Sequence, residues 1–439
     1  MAGEPEPISV ERFLQALERS GLLTAAGVRG LVAAVPAEAR ADSQRLAEHL
    51  VRVGKLSHYQ ARKLLDGTPV GLVLGPYQIV MPIGRGGMGT VYLARDTRTP
   101  RLLALKVLPP KRAQAEDRLL TRFRREMDLS RRVAHPNLTQ TYDVGEAEGV
   151  YYIAMEYIAG QSLYRLVSTY GALTVGRSAR VFAQVAAGLE HAHEQGLVHR
   201  DLKPSNIMIT PNDHVKILDL GLALIEGEVV EDHKVVGGKG YVVGTIDYMA
   251  PEQILDAAGV DARCDLYALG CTIYYALTGQ PPFPGGDAKS KLRRHRKEQP
   301  PPLPELNPLV PVDFAAVVHP LLAKRPEDRP PSAAVVRQQL LAWADPEPAG
   351  SATAAPPAEG DSKLVLADVA AKQAAEGGGG GSSWDWLPPV SLTETARPER
   401  RWWFAWWSEA GVAVRAAVLA AAGLAALALL ALLWAALRG

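Results

Sequence analysis

At 439 residues the chain is long enough for two or three domains with sizeable cores. Its 48 Lys and Arg against 47 Asp and Glu leave a net charge of +1, which excludes a global field favouring nucleic acid, so no nucleic-acid partner is expected. The two cysteines, Cys264 and Cys271, fall in one apolar segment and predict reduced core residues, not a disulfide framework or a metal pair.

In chain order, the N-terminus MAGEPEPISVERF is acidic and has no apolar core, so it does not read as a signal peptide. Residues 1–70 predict a small helical region. Ser9 precedes an amphipathic run with Phe13, Leu14 and Leu17 on one face, and Gly21 can end it. Ser57 with Gln60 fits a capping box, and Leu64, Leu65 and Gly67 fit a helix end. Two readings stay open: a helical appendage packing on the next domain, or a docking module for a substrate or regulator.

From Tyr77 to Val91 the pattern changes to strand, turn, strand around Gly84-Arg85-Gly86-Gly87-Met88-Gly89. Glycines at this spacing let backbone approach phosphates without Cβ clashes, although the pattern alone is weak. Leu103-Ala104-Leu105-Lys106-Val107 places one lysine in an apolar strand. A buried lysine costs several kcal/mol unless paired, and Glu126, on a predicted helix, is the candidate partner. Tyr151 to Ile158 predicts another strand, and residues 178–195 have helical period with His191 and His193 as structural residues.

Next come His199-Arg200-Asp201-Leu202-Lys203-Pro204-Ser205-Asn206 and Leu218-Asp219-Leu220-Gly221. These set two acids and an amide close together among apolar, strand-like residues. An acid that accepts a proton, with an acid and an amide that hold a metal, is what phosphoryl transfer requires. Further on stand Thr245, the triplet Ala250-Pro251-Glu252, Asp265 in an apolar run, and Arg329 within Arg325-Pro326-Glu327-Asp328-Arg329-Pro330.

These motifs resemble those of the protein kinase family, over roughly residues 77–342. The resemblance implies an α+β, two-lobed fold with a small β-rich lobe and a larger helical lobe. It also implies ATP and Mg²⁺ as cofactors and protein Ser or Thr hydroxyls as substrates. Asp201 then accepts the substrate proton, Lys203 supplies charge near the phosphoryl group, and Lys106, held by Glu126, grips the α- and β-phosphates. Asn206 and Asp219 hold the metal. The nucleotide is implied to lie among Ile83, Gly84, Arg85, Gly86, Gly87, Met88, Gly89, Thr90, Val91, Ala104 and Lys106. Met155 is the implied gatekeeper, and the backbones of Glu156 and Ile158 bind adenine. Thr245 lines the site for the residue after the acceptor, Glu252 pairs with Arg329, and Asp265 holds the catalytic loop. Asp-Leu-Lys-Pro-Ser-Asn at residues 201–206 marks the serine/threonine class. Leu220 departs from the usual Phe of the metal triplet but keeps an apolar plug.

Between Leu222 and Gly244 there is no Ser and no Thr. Relatives with an Arg before the catalytic Asp, as Arg200 is here, often order this segment through a loop phosphate. Either Glu226, Glu228, Glu231, Asp232 or a partner replaces that phosphate, or the loop is merely solvated. Two other readings of the whole also stay open. One is a nucleotide-binding scaffold without turnover, against which the complete set Lys106, Asp201, Asn206 and Asp219 argues. The other is a small-molecule kinase, against which the full activation segment argues.

After Trp343 the composition shifts. Residues 345–410 predict a flexible linker rich in Pro, Ala and Gly, then an aromatic juxtamembrane stretch from Arg401 to Trp407. Residues 416–437 contain no charge; at about 1.5 Å per residue they reach about 33 Å, enough for a hydrocarbon core of about 30 Å. Arg397, Arg400, Arg401 and Arg415 precede this stretch and only Arg438 follows it. The bias predicts a single-pass helix in the inner or plasma membrane with the kinase domain cytoplasmic, and no sensor domain beyond it. A soluble Ala-rich helix is the alternative. Homodimerisation through the kinase domain or the span stays open. Helical leader, kinase and terminal span together resemble bacterial eukaryotic-type (Hanks-type) serine/threonine kinases.

Overall fold

Four short helices open the chain: α1 (Val10–Arg19), α2 (Ala25–Ala34), α3 (Ser43–Arg52) and α4 (His58–Leu65). Each starts at a side-chain cap, from Ser9, Thr24, Asp42 and Ser57. At α4 both halves of the capping box form: Ser57 Oγ accepts the Gln60 N–H and Gln60 Oε1 accepts the Ser57 N–H. Phe13, Leu17, Leu46, Leu50 and Leu64 bury completely against one another and give this unit its own core.

A computed structural model describes residues 8–85, 89–99, 101–108, 120–121, 123–124, 127–128, 133–219, 224–225, 245–255 and 260–345. The chain divides into two units, 1–371 and 372–439, and every described residue belongs to the first. Among the described residues no helix is long and apolar enough to cross a membrane. The apolar stretch 416–437, the linker 346–410 and the acids Glu226, Glu228, Glu231 and Asp232 lie outside the described residues.

After the helices comes a six-stranded antiparallel sheet: β1 (Val73–Leu74), β2 (Tyr77–Arg85), β3 (Thr90–Asp96), β4 (Leu102–Leu108), β5 (Thr141–Ala147) and β6 (Val150–Glu156), in the order β1-β2-β3-β4-β6-β5. Alternation along the strands gives it two apolar faces. One carries Tyr77, Ile79, Ala94, Leu105 and Ala154. On the other, Ile153 and Leu108 pack with Phe123 and Met127. The strand predicted to run to Ile158 ends at Glu156, where the chain leaves the sheet for the second lobe.

That lobe is helical. Its axis is α6 (Val175–Glu194), capped by Thr174 and preceded by β7 (Gln161–Ser162) and α5 (Leu163–Tyr170). Along the chain follow α7 (Pro251–Leu255), α8 (Arg263–Thr278), α9 (Ala288–Lys297), α10 (Leu303–Leu306), α11 (Val312–Val318) and α12 (Ala333–Leu341), of which α8 and α12 pack beside α6. From Cys264 to Leu277 every residue of α8 is buried, and both cysteines are free, fully buried thiols. Short strands lie between the lobes: β8 (Leu197–Val198) pairs with β11 (Leu224–Ile225), and β9 (Ile207–Ile209) pairs with both β7 and β10 (Val215–Ile217).

The helical core carries one acid-sensitive group. His295 is fully buried, with Tyr267 OH 2.8 Å from its Nδ1 and Phe283 edge-on against its ring. Burial pushes its pKa down to about 3, and the charges of Lys324, Arg294 and Lys291 add to this, against a small opposing contribution at Asp247. Between that value and the ordinary 6.5 the unfolded chain binds a proton that the folded chain refuses. Stability from this group is therefore present above about pH 6.5 and falls on acidification, by about 1.4 kcal/mol per pH unit. Urea unfolding from about pH 7 to about pH 4.5 measures it, and His295→Gln is expected to remove that part of the slope.

Candidate active site

The sheet register gathers the first group of residues. Val91 opposes Lys106, which opposes Ile153; in the next row Leu93 opposes Ala104, which opposes Met155. Directly opposed residues share a face, as do residues two apart on a strand. Val91, Ala104, Lys106 and Met155 therefore stand on one face. Ile83 and Gly84 on β2 and Thr90 on β3 lie in the hairpin whose turn includes Gly89. Gly89 must be glycine, because a Cβ there would collide with the Val107 carbonyl. Gly86, Gly87, Met88 and Glu126 lie outside the described residues, as does the side chain of Arg85.

Lys106 is 9% exposed and its Nζ lies 2.7 Å from Asp219 Oδ1. Two residues far apart in sequence thus meet across the two lobes. The Asp219 side chain keeps 41% of its surface open. Burial works to raise its pKa, but the charge and hydrogen bond of Lys106, helped by His199 and Lys203, outweigh that and hold it below the usual carboxylate value. It stays an anion.

The loop 199–206 is fixed from beneath. Asp265, with no exposed surface, accepts the N–H of His199 and of Arg200 at 2.8 Å each, and its Oδ2 lies 2.8 Å from His193 Nε2. Arg200 takes a left-handed φ of +66°, and Asp219 one of +57°. Such residues cost about 1–3 kcal/mol each and persist only where the surroundings dictate them. His199 joins the two motifs: its Nδ1 accepts the Asp201 N–H and its Nε2 donates to the Leu218 carbonyl. The Leu218 N–H donates in turn to the Asn206 carbonyl at 2.8 Å. On the loop itself, Lys203 Nζ bridges both Asp201 oxygens at 2.9 and 2.7 Å. Asn206 Nδ2 donates to the Asp201 carbonyl and to Asp201 Oδ2.

With Nδ2 so engaged, the Asn206 side chain offers Oδ1, which accepts from Ser205 Oγ at 3.4 Å, and Asp219 offers carboxylate oxygens, so both residues carry only oxygen donors on their open sides. That suits Mg²⁺, which takes one or two carboxylates and completes its shell with water and phosphate. Among the described residues no group of three or more His, Cys, Asp or Glu is placed to hold a metal ion.

A family model described as protein kinase domain matches residues 77–341. The chain belongs to the protein kinase family. The chain is 38% identical over 306 residues to the serine/threonine-protein kinase pkn3 of Myxococcus xanthus, covering 68% of this chain and 55% of that one. It is 37% identical over 325 residues to the serine/threonine-protein kinase PknB of Mycobacterium tuberculosis, covering 73% and 50%. To PknB of Mycobacterium leprae it is 39% identical over 269 residues, covering 60% and 42%. The chain spans about half the length of these curated relatives.

The remaining predicted residues fall around this centre. Glu156 turns its carboxylate to Lys216 Nζ at 2.6 Å, and its N–H donates to the Gln140 carbonyl. The carbonyl of Ile158 accepts from Gly160. Glu252 and Arg329 form a two-pronged pair, 2.7 Å between Oε2 and Nη2, and the arginine side chain is fully buried. Thr245 opens a 3-10 turn that closes at Tyr248. Arg200 Nη2 donates to the Val260 carbonyl at 3.2 Å. His193, read as structural from the sequence, and His199, which sequence reasoning gave no role, both belong to the framework of the site. Their only signal was position, one turn before the loop and at its first residue.

Proposed function

We propose that the chain is a serine/threonine protein kinase that moves the γ-phosphoryl group of Mg-ATP to a protein Ser or Thr hydroxyl. The observation that supports this is the meeting of Lys106 with Asp219, together with a loop on which Lys203 and Asn206 both bond to Asp201. In this reading Val91, Ala104 and Met155 line the adenine slot. Because its N–H is engaged, Glu156 contributes its carbonyl there. Lys106 holds the α- and β-phosphates. Asp201 orients the acceptor hydroxyl and takes its proton, and Lys203 faces the charge that builds on the transferring group. Asn206 Oδ1 and Asp219 would be the protein ligands of Mg²⁺, whose charge would offset that of the phosphates. Mostly this is positioning of charge, since the transition state is loose. The uncharged stretch 416–437, with arginines ahead of it, would tether the enzyme to a bilayer with the kinase domain on the cytoplasmic side.

The test is the full chain with γ-labelled ATP, Mg²⁺ and a general protein substrate, followed by phosphoamino-acid analysis. Label on Ser or Thr is expected, lost with EDTA and restored by Mg²⁺, while circular dichroism stays unchanged throughout. ATP binding without transfer to any substrate would favour a scaffold instead. Recovery of the chain in a carbonate-washed membrane fraction, and its loss from that fraction on deleting 411–439, tests the tether.

A further inference from the structure

The opening helical unit lies before the family match, which begins at Tyr77, yet it is bonded into the sheet that would hold the nucleotide. Strand β1 pairs with only two residues of β2, Tyr77 and Gln78. Next along the strand the Ile79 N–H donates to the Leu72 carbonyl at 2.8 Å; past that bond the edge of β2 would be bare, and bare edges are normally covered. Here α4 covers it. Ser57 Oγ donates to the Val80 carbonyl at 2.5 Å and Gln60 Nε2 donates to the Ile79 carbonyl at 2.7 Å. Gln78 Nε2 donates back to the Leu22 carbonyl, and Tyr59 packs against Tyr92. The same two side chains that cap α4 therefore also terminate the sheet.

The place they hold matters. The β2–β3 register shifts between Ile79 and Met81 and again between Pro82 and Gly84. Shifts of this kind bend a strand and re-aim the residues beyond the bend. Ser57 grips the carbonyl of Val80, the residue inside the first shift. Val80 itself is buried with Leu93, and Met81, Ile83, Leu102 and Tyr157 pack against this pair. One cluster thus connects the gripped residue to Ile83, at the root of the glycine turn, and to Tyr157, just past the end of β6. The unit touches the edge and the outer face of the sheet, whereas Val91, Ala104, Lys106 and Met155 lie on the opposite face.

We infer that Ser57 and Gln60 are positioning residues for nucleotide: by fixing the bend in β2 from the outer edge, they set where the glycine hairpin sits. The inference rests on the proposed kinase reading for its ATP readout, but its structural half stands apart from it. The informative variant in the full chain is Gln60→Glu. A glutamate still accepts the Ser57 N–H, so the cap of α4 survives, whereas its carboxylate cannot donate to the Ile79 carbonyl. Ser57→Ala removes the grip on Val80, and Ser57→Thr restores a hydroxyl there.

Expected for Gln60→Glu and Ser57→Ala is a rise of about three- to tenfold in the KM for ATP, or in the Kd of a fluorescent ATP analogue, the scale of one or two lost hydrogen bonds. The kcat should stay within about twofold, and Ser57→Thr should recover most of the affinity. Amide hydrogen exchange should speed up in residues 79–85 and stay unchanged in α3. A lower melting temperature with unchanged ATP affinity and unchanged exchange in 79–85 would overturn the inference and leave the unit a structural appendage. A wild-type chain that binds ATP without transferring phosphate would defeat the proposed activity, while the Kd and exchange readouts would still decide this inference.

Discussion

Asp201→Ala in the full chain is expected to lower kcat by about 10²–10⁴, the usual worth of a positioned proton acceptor, and to leave ATP affinity within a few-fold. The carboxylate receives Lys203 Nζ and Asn206 Nδ2, so it organises the loop's polar groups around the space where an acceptor hydroxyl would sit. Asp219→Ala should behave differently. That side chain contacts Lys106 and is one of two oxygen ligands proposed for Mg²⁺, so both kcat and metal-dependent nucleotide affinity are expected to collapse. Steady-state kinetics beside calorimetric titration of Mg-ATP separates the two. An Asp219→Ala enzyme that turns over normally would overturn the assignment.

The second large effect is expected at Asp265. Asp265→Ala removes the acceptor for two backbone N–H groups and the anion facing His193. Orphaned buried donors cost about 1–3 kcal/mol each, so a loss of about 2–6 kcal/mol in unfolding free energy is expected. Burial acts to raise the pKa of this carboxyl, but the His193 hydrogen bond and charge, His199 and the Arg200 N–H hold it below its ordinary value, so it is an anion. Asp265→Asn should cost less, since one oxygen still accepts. Both variants should also slow turnover by at least about 10²-fold, because Arg200 would lose the bond that holds its left-handed backbone and Asp201, next in the chain, would drift. Denaturant melts and single-turnover kinetics on the same preparations measure the two losses. A destabilised Asp265→Asn enzyme with normal turnover would show that the anchor serves folding alone.

Much of this was legible along the chain because the chemistry comes in short runs. Asp201, Lys203 and Asn206 sit within six residues, and neighbours that close are held together whatever the fold. The capping box at Ser57 and Gln60 was readable for the same reason: its hydrogen bonds span three residues. Lysine in the apolar strand announced its need for a partner through its desolvation cost. Sequence named Glu126 as that partner; the described geometry adds Asp219, 113 residues away.

Tertiary structure alone decided the rest, since it depends on which distant groups meet. Nothing local told that the hydroxyl and amide capping α4 would each carry a second hydrogen bond, to Val80 and Ile79, and so make the leading helices part of the sheet. Nor could spacing reveal that His199 spans from the Asp201 N–H to the Leu218 carbonyl. Composition and periodicity report what a residue prefers, whether burial, a helix or a charge partner. Only the packed chain settles which of several eligible partners lies within about 3 Å, the range over which a hydrogen bond acts.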